Sequence, residues 1–300
     1  MTATKAAASL PHPAMPTPPE SKSGRPGTPV PLLNGCNVVL VGAGKMGGAL
    51  IEGWLGLGVD PARVAIIEPQ PAAPIAALAA RGLRINPDAA SLRPDAIVIA
   101  VKPQIAPQIM ESVAALTAPS TVVVSIMAGR TIAFLASSLP GGAAVVRAMP
   151  NTPAAIGRGI TVAVPNAQVS PAQRELADTL LAATGAVEWI DDETLMDAVT
   201  AVSGSGPAYV FLLAESLARA GEEAGLPVEL AARLARATVA GSGELLHRSS
   251  AAAAVLRQNV TSPGGTTAAA LDVLMAPDGL DPLMERAVAA ATKRGRELGG

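Results

Sequence analysis

The segment Asn37-Val38-Val39-Leu40-Val41-Gly42-Ala43-Gly44-Lys45-Met46-Gly47 anchors the reading of this chain. Val38 to Val41 form an apolar run without a polar break, as in a strand buried on both faces of a parallel sheet. A G-x-G-x-x-G pattern follows at once and opens a helix expected over 48–57, the context that separates a phosphate-binding turn from a chance match. Gly42 would make the tight turn, Gly44 would let backbone approach a pyrophosphate, and Gly47 would bring helix against strand. Ala43, Lys45 and Met46 complete a loop at a helix N-terminus, where amides and dipole favour an anion. The alternative is a glycine-rich turn that binds nothing.

Further strands are expected over 64–67, 96–101, 122–126, 144–147 and 161–164, with helices such as 72–81 and 104–116 between them. Strands alternating with helices predict βαβ units in a doubly wound α/β sheet, the alternation ending near 188–190. Glu68 follows the second strand, where a carboxylate accepts hydrogen bonds from a ribose 2′-hydroxyl and repels a 2′-phosphate, tilting a dinucleotide site toward NADH. A solvated loop carboxylate is the alternative. Val101, Lys102, Pro103 and Ala128 lie at carboxyl ends of strands, where ligands bind in open α/β sheets, and are candidate cofactor contacts. Asn151, in a proline-fixed loop after another strand, either holds the nicotinamide end or caps its own turn.

Beyond residue 191 the pattern turns helical. Apolar residues recur at helical spacing over 193–202, 208–224, 228–246 and 283–298, and the Ala-rich stretches suit close helix contact within a chain or between subunits. The expected organisation is therefore a sheet domain over 35–190 and an all-helical domain over 191–300. Residues 1–34 differ in texture: eight prolines from Pro11 to Pro31 punctuate Ser, Thr, Gly and Lys. Such a segment is expected to be a disordered extension, or more rarely a polyproline ligand, and its deletion is expected to leave activity untouched.

Composition removes several function classes. Half of the 300 residues are hydrophobic and only 2% aromatic, so the core must be built from Ala, Val, Leu and Ile. Lys and Arg number 22 against 24 Asp and Glu, a balance without the basic stripe that nucleic acid requires. Cys36 is the only cysteine, and His12 and His247 are the only histidines, so no disulfide framework and no metal site are expected. Tyr209 is the only tyrosine, and Leu213 rather than Lys follows four residues later, which excludes a Tyr-x-x-x-Lys pair. The uncharged stretch 112–129 is broken by Pro119 and Gly129, and no apolar signal core precedes a cleavage site. No membrane association and a cytoplasmic location are expected.

The narrowest motif is Asn259-Val260-Thr261-Ser262-Pro263-Gly264-Gly265-Thr266-Thr267, followed by a helix expected over 268–275. Pro263 has no amide proton, whereas Gly264, Gly265, Thr266 and Thr267 do, and at a helix start these would point outward. Two glycines remove side chains where a ligand must touch backbone. The hydroxyls of Ser262, Thr266 and Thr267 would ring a small anion site suited to a carboxylate. The alternative is a Ser/Thr-capped helix after a Ser-Pro-Gly-Gly turn. The helix entry Val202-Ser203-Gly204-Ser205-Gly206-Pro207-Ala208-Tyr209 reads as close helix packing, with Ser203 and Ser205 at most neighbours of the site.

Taken together and in this order, residues 42–47, 100–104, 147–154, 202–211 and above all 262–267 resemble the pyrroline-5-carboxylate reductases. The resemblance runs over roughly 36–298. It implies a Rossmann-like NAD(P)-binding domain followed by an all-helical dimerisation domain, with helices interleaved between subunits of a homodimer or larger homo-oligomer. It implies reduction of the cyclic imine 1-pyrroline-5-carboxylate to L-proline, the final step of proline biosynthesis, by NADPH or NADH. By matching position, Ser262, Gly265 and Thr266 would hold the substrate carboxylate. Thr267 would approach the ring nitrogen and act catalytically, and Asn259 would help close the site beside the cofactor. The missing His, Cys and Tyr fit this chemistry, because an imine is already electrophilic and needs positioning more than a strong acid. A β-hydroxyacid dehydrogenase would need a lysine in its helical half, and none occurs between Lys102 and Lys293. A dinucleotide sensor without chemistry would have no use for residues 262–267.

Overall fold

Eight short strands assemble into one sheet in the order β3-β2-β1-β4-β5-β6-β7-β8. The computed structural model describes residues 35–299, so the extension expected over 1–34 lies outside the described residues. The strands are β1 (Val38–Val41), β2 (Val64–Ile67), β3 (Arg84–Ile85), β4 (Ala96–Ile99), β5 (Val122–Ser125), β6 (Ala144–Met149), β7 (Gly159–Pro165) and β8 (Gly185–Trp189). Pairing is parallel from β3 through β6, as the βαβ reading requires. β7 then runs antiparallel to β6, and β8 pairs parallel with β7. The turn from β6 to β7 holds no full crossover helix, only the 3₁₀ turn Thr152–Ile156, and so short a link returns the chain antiparallel.

β1 and β4 are buried along their whole length because helices cover both faces of the sheet. Alternation divides them: Val38, Leu40, Ile66, Val98 and Val124 face one core with Leu50, Ile51 and Trp54 of α1 (Lys45–Gly56). Val39, Val41, Ile97, Ile99 and Val123 face the other core with Met110 and Val113. α2 (Ala73–Ala77) is shorter than the helix expected over 72–81 and finishes as a 3₁₀ turn, with Gly82 in the left-handed region at φ 99°. α3 (Ala106–Leu116), α4 (Ile132–Ser137) and α5 (Pro171–Ala182) complete the layers. Trp54 is 1% exposed, and its indole N–H donates to the Leu180 carbonyl at 2.8 Å, fastening α1 to α5.

Past Trp189 every regular element is a helix or helical turn. The chain passes through α6 (Met196–Val199) and a π turn (Thr200–Gly204) into α7 (Gly206–Glu223) and α8 (Val228–Arg248). It continues through α9 (Ala253–Asn259) and α10 (Thr266–Leu274) to α11 (Leu280–Gly299). α7 and α8 pack as a hairpin, whereas α9 and α10 pack extensively on no other element. α11 returns against α6 and the π turn, with Leu298 beside Gly129 of the sheet domain. Among the described residues, every exposed large apolar side chain apart from Ile105 and Ile156 lies at or beyond Leu195. Among the described residues no helix is long and apolar enough to cross a membrane.

Candidate active site

The glycine loop is constrained from three sides. Gly42 stands at φ 92°, and its N–H donates to the Ile67 carbonyl at 2.9 Å, joining the turn to the end of β2. A Cβ at Gly42 would come within 2.7 Å of a Val101 methyl group and 2.9 Å of the Ala100 backbone. A Cβ at Gly47 would collide with the Gly42 carbonyl oxygen, so the third glycine is what lets α1 start flush against the turn. Gly44 differs: no atom lies within 4 Å of where its Cβ would be. It caps α1 without a side-chain bond, and the amides of Lys45, Met46 and Gly47 meet no acceptor among the described residues. Open space in front of free first-turn amides fits a pyrophosphate.

Glu68 lies against this loop. One carboxylate oxygen accepts from the Ala43 N–H at 3.0 Å and the other from the Gln70 N–H at 3.1 Å. Its main chain is held by Asn86, whose side chain accepts from the Glu68 N–H and donates to the Glu68 carbonyl, both at 2.9 Å. Asn86 is the one described non-glycine residue at positive φ, 47°. The sequence reading passed over it, although Asn before Pro after a short strand signals a residue that tolerates that region.

Lys102 is exposed ahead of the 3₁₀ turn Pro103–Ile105, and Ala128 is exposed in the loop after β5. The two loops are tied by Arg130, whose Nε and Nη2 donate to the Pro103 carbonyl at 3.1 and 2.8 Å while its guanidinium stacks on Phe134. No sequence motif announced Arg130. Gly42, Ala43, Gly44, Lys45, Met46, Gly47, Glu68, Val101, Lys102, Pro103 and Ala128 thus share the carboxyl edge of the parallel strands. Asn151 does not cap its own turn through its side chain; that side chain accepts from the Ile160 N–H of β7 at 2.9 Å.

The second group sits in the helical domain. Ser262, Pro263, Gly264 and Gly265 form a turn closed by a Gly265 N–H bond to the Ser262 carbonyl at 3.0 Å, with Gly264 at φ 69°. Pro second and a left-handed Gly third is the type II pattern. Gly265 then caps α10 with no side-chain bond, so the hydroxyl-capped alternative is not what forms. The amides of Thr266, Thr267 and Ala268 meet no acceptor among the described residues. Thr266 is exposed and Thr267 half-buried, while Asn259 is exposed at the end of α9. The concave surface along α10 and α11 is apolar, lined by Val273, Leu274, Leu280 and Leu283, and includes none of these residues. No cluster of three His, Cys, Asp or Glu suited to a metal occurs among the described residues.

A third connection joins the two domains. Glu193, at the entry to α6, accepts from Arg147 of β6 and from the Ile132 N–H at the start of α4, both at 2.8 Å. Arg147 is 5% exposed and the Glu193 side chain 28%, so this is a partly buried ion pair aimed at the end of the β5–α4 loop.

Fold and glycine loop together define a dinucleotide-dependent oxidoreductase with a helical second domain. A family model described as pyrroline-5-carboxylate reductase dimerisation matches residues 193–298, and one described as NADP oxidoreductase coenzyme F420-dependent matches residues 37–129. The chain is 41% identical to a pyrroline-5-carboxylate reductase of Pseudomonas aeruginosa, over 87% of this chain and 96% of that protein. A Coxiella burnetii pyrroline-5-carboxylate reductase structure superposes with a TM-score of 0.81 at 32% identity, covering 88% of this chain and 99% of that one. A Plasmodium falciparum pyrroline carboxylate reductase with NADP bound gives 0.73 at 30% identity, covering 89% and 99%. The chain belongs to the pyrroline-5-carboxylate reductase family.

Proposed function

We propose that this chain reduces 1-pyrroline-5-carboxylate to L-proline in the cytoplasm, at a site completed by a second copy of itself. The observation that carries the reading is the uncapped start of α10, where free amides of Thr266 and Thr267 stand beside the Ser262–Gly265 turn. This is a carboxylate receptor built without a charged side chain, suited to a small imino acid. Ser262, Gly265 and Thr266 hold the carboxylate, and Thr267 orients the ring nitrogen. The reduced nicotinamide dinucleotide supplies a hydride to the imine carbon when bound. Gly42 to Gly47 hold its pyrophosphate, Glu68 faces its adenosine ribose, and Val101, Lys102, Pro103 and Ala128 flank it, with Asn259 closing the site.

Protonated imine nitrogen draws the hydride, so the protein's task is alignment and exclusion of water. Because α10 does not pack extensively on its own sheet domain, the carboxylate receptor of one copy serves the dinucleotide edge of another. The apolar faces of α7 to α11 supply the contact surface.

Purified protein supplied with 1-pyrroline-5-carboxylate is expected to oxidise NADH and NADPH, with NADH favoured by Glu68. Absence of turnover from protein shown to bind dinucleotide would refute the substrate. Turnover with NADPH favoured would keep the reaction and remove the role given to Glu68.

A further inference from the structure

We infer that Asn86 is a positioning residue for cofactor choice: it holds the main chain of Glu68 so that the carboxylate opposes a 2′-phosphate. The inference rests on the reading of Glu68 as the group facing the ribose.

β3 is only two residues long and lies at the edge of the sheet. Its ladder with β2 pairs Ala65 with Arg84 and Ile66 with Ile85, and one further bond runs from the Asn86 N–H to the Ile66 carbonyl at 2.8 Å. There the strand ends, because Asn86 turns into the left-handed region. Its side-chain amide replaces the missing strand partner. One amide engages both main-chain polar groups of Glu68, and a two-point clamp of this kind resists rotation about the peptide. The carboxylate above it is divided between Ala43 of the glycine loop and Gln70. Asn86 is exposed at the edge of the sheet, so its side-chain hydrogen bonds act on the direction of Glu68 more than on the packing of the cores. An L-residue at positive φ persists only where its surroundings hold it, and here the hold is on a cofactor-facing carboxylate.

The test measures dissociation constants of NADH and NADPH by calorimetry without imine, together with the thermal midpoint of the ligand-free protein. The full chain is compared with Glu68→Gln, Asn86→Gly and the double variant. Glycine keeps the left-handed conformation without steric cost, so Asn86→Gly removes the clamp alone. Glu68→Gln is expected to lower the preference for NADH about tenfold. Asn86→Gly is expected to lower it about threefold to fivefold, the scale of a lost hydrogen bond or two, with a small fall in the thermal midpoint and the affinity for NADPH retained. In the double variant Asn86→Gly is expected to add nothing.

If Glu68→Gln shifts the preference and Asn86→Gly does not, the inference fails while the reading of Glu68 stands. An unchanged preference in Glu68→Gln overturns that reading and the inference with it. A fall in both affinities with a lowered midpoint, or equal effects of Asn86→Gly in both backgrounds, would mark Asn86 as structural and also overturn the inference.

Discussion

Thr267 carries the chemical argument at the level of single residues. It is the second residue of α10, half-buried, with its amide in the first turn after Ser262–Gly265. In the proposed site, with no histidine or lysine nearby in sequence, orientation of the imine nitrogen is assigned to its hydroxyl. Thr267→Ala is therefore expected to lower kcat about tenfold to a hundredfold, the range for loss of a positioned proton-handling group. KM should change much less, because the proposed site assigns the carboxylate to Ser262, Gly265 and Thr266, and Thr267→Ser should recover most of the rate. Steady-state kinetics with 1-pyrroline-5-carboxylate checks both, and an unaltered kcat in Thr267→Ala would remove Thr267 from the chemistry. The glycines of the first loop were legible from their spacing directly after a strand and before a helix, although Gly42 also answers to distant neighbours, Ile67, Ala100 and Val101. Asn86 was not, since its importance comes from a strand partner eighteen residues earlier.

Between elements, the Arg147–Glu193 pair is the counterpart of that long-range dependence. β6, α4 and the entry to α6 meet on one carboxylate, which joins the sheet domain to the helical domain. Removing Glu193 leaves the buried Arg147 guanidinium uncompensated, and because Glu193 is partly exposed to water the cost is about 1–3 kcal/mol, below that of a fully buried pair. Glu193→Gln is expected to destabilise the protein by that order in chemical denaturation, and the double variant Arg147→Met, Glu193→Leu should regain much of the loss. A loss confined to Glu193→Gln would identify unpaired charge, rather than lost packing, as the cause. Equal losses in the single and double variants would refute that account.

Element types were readable in the sequence for β1, β2, α7, α8 and α11, where runs and periodicity are long or uniform. Ends and exceptions were not. The helix expected over 193–202 is interrupted by the π turn Thr200–Gly204, where a Cβ at Gly204 would meet the terminal methyl of Met149. Likewise the reversed direction of β7 depends on the shortness of its connection in space, not on its own aliphatic pattern.

At the scale of the whole molecule, the two halves have different relations to solvent. The sheet domain closes one core on each face, and a smaller third cluster of Val162, Val164 and Met196 joins β7 to α6. The helical domain buries Met196, Ala201, Ala231 and Ala235 but leaves Val210, Phe211, Leu212, Leu213 and Leu217 exposed on α7 alone. A helix apolar around most of its circumference is meant to be enclosed, and no described element encloses this one. A second copy does so in the reading given above. Phe211→Glu combined with Leu213→Glu is expected to yield monomers in sedimentation velocity, without reductase activity but still able to bind NADH. Retained dimers, or active monomers, would overturn the shared site.

Composition and local pattern were sufficient for the alternation of strands and helices, the glycine turn after β1, the change to helix near residue 190 and the helix that starts after the Ser262–Gly265 turn. These depend on residues within a few positions of one another, whose steric and hydrogen-bonding demands can be read directly from their order. The pairing of Asn86 with Glu68, the knot of Arg130 on Pro103, the Arg147–Glu193 link and the isolation of α10 from its own glycine loop depend on contacts between distant segments. Such contacts are selected by the packing of complete layers, so they exist only once the sheet has closed its two cores and the helices have found their faces.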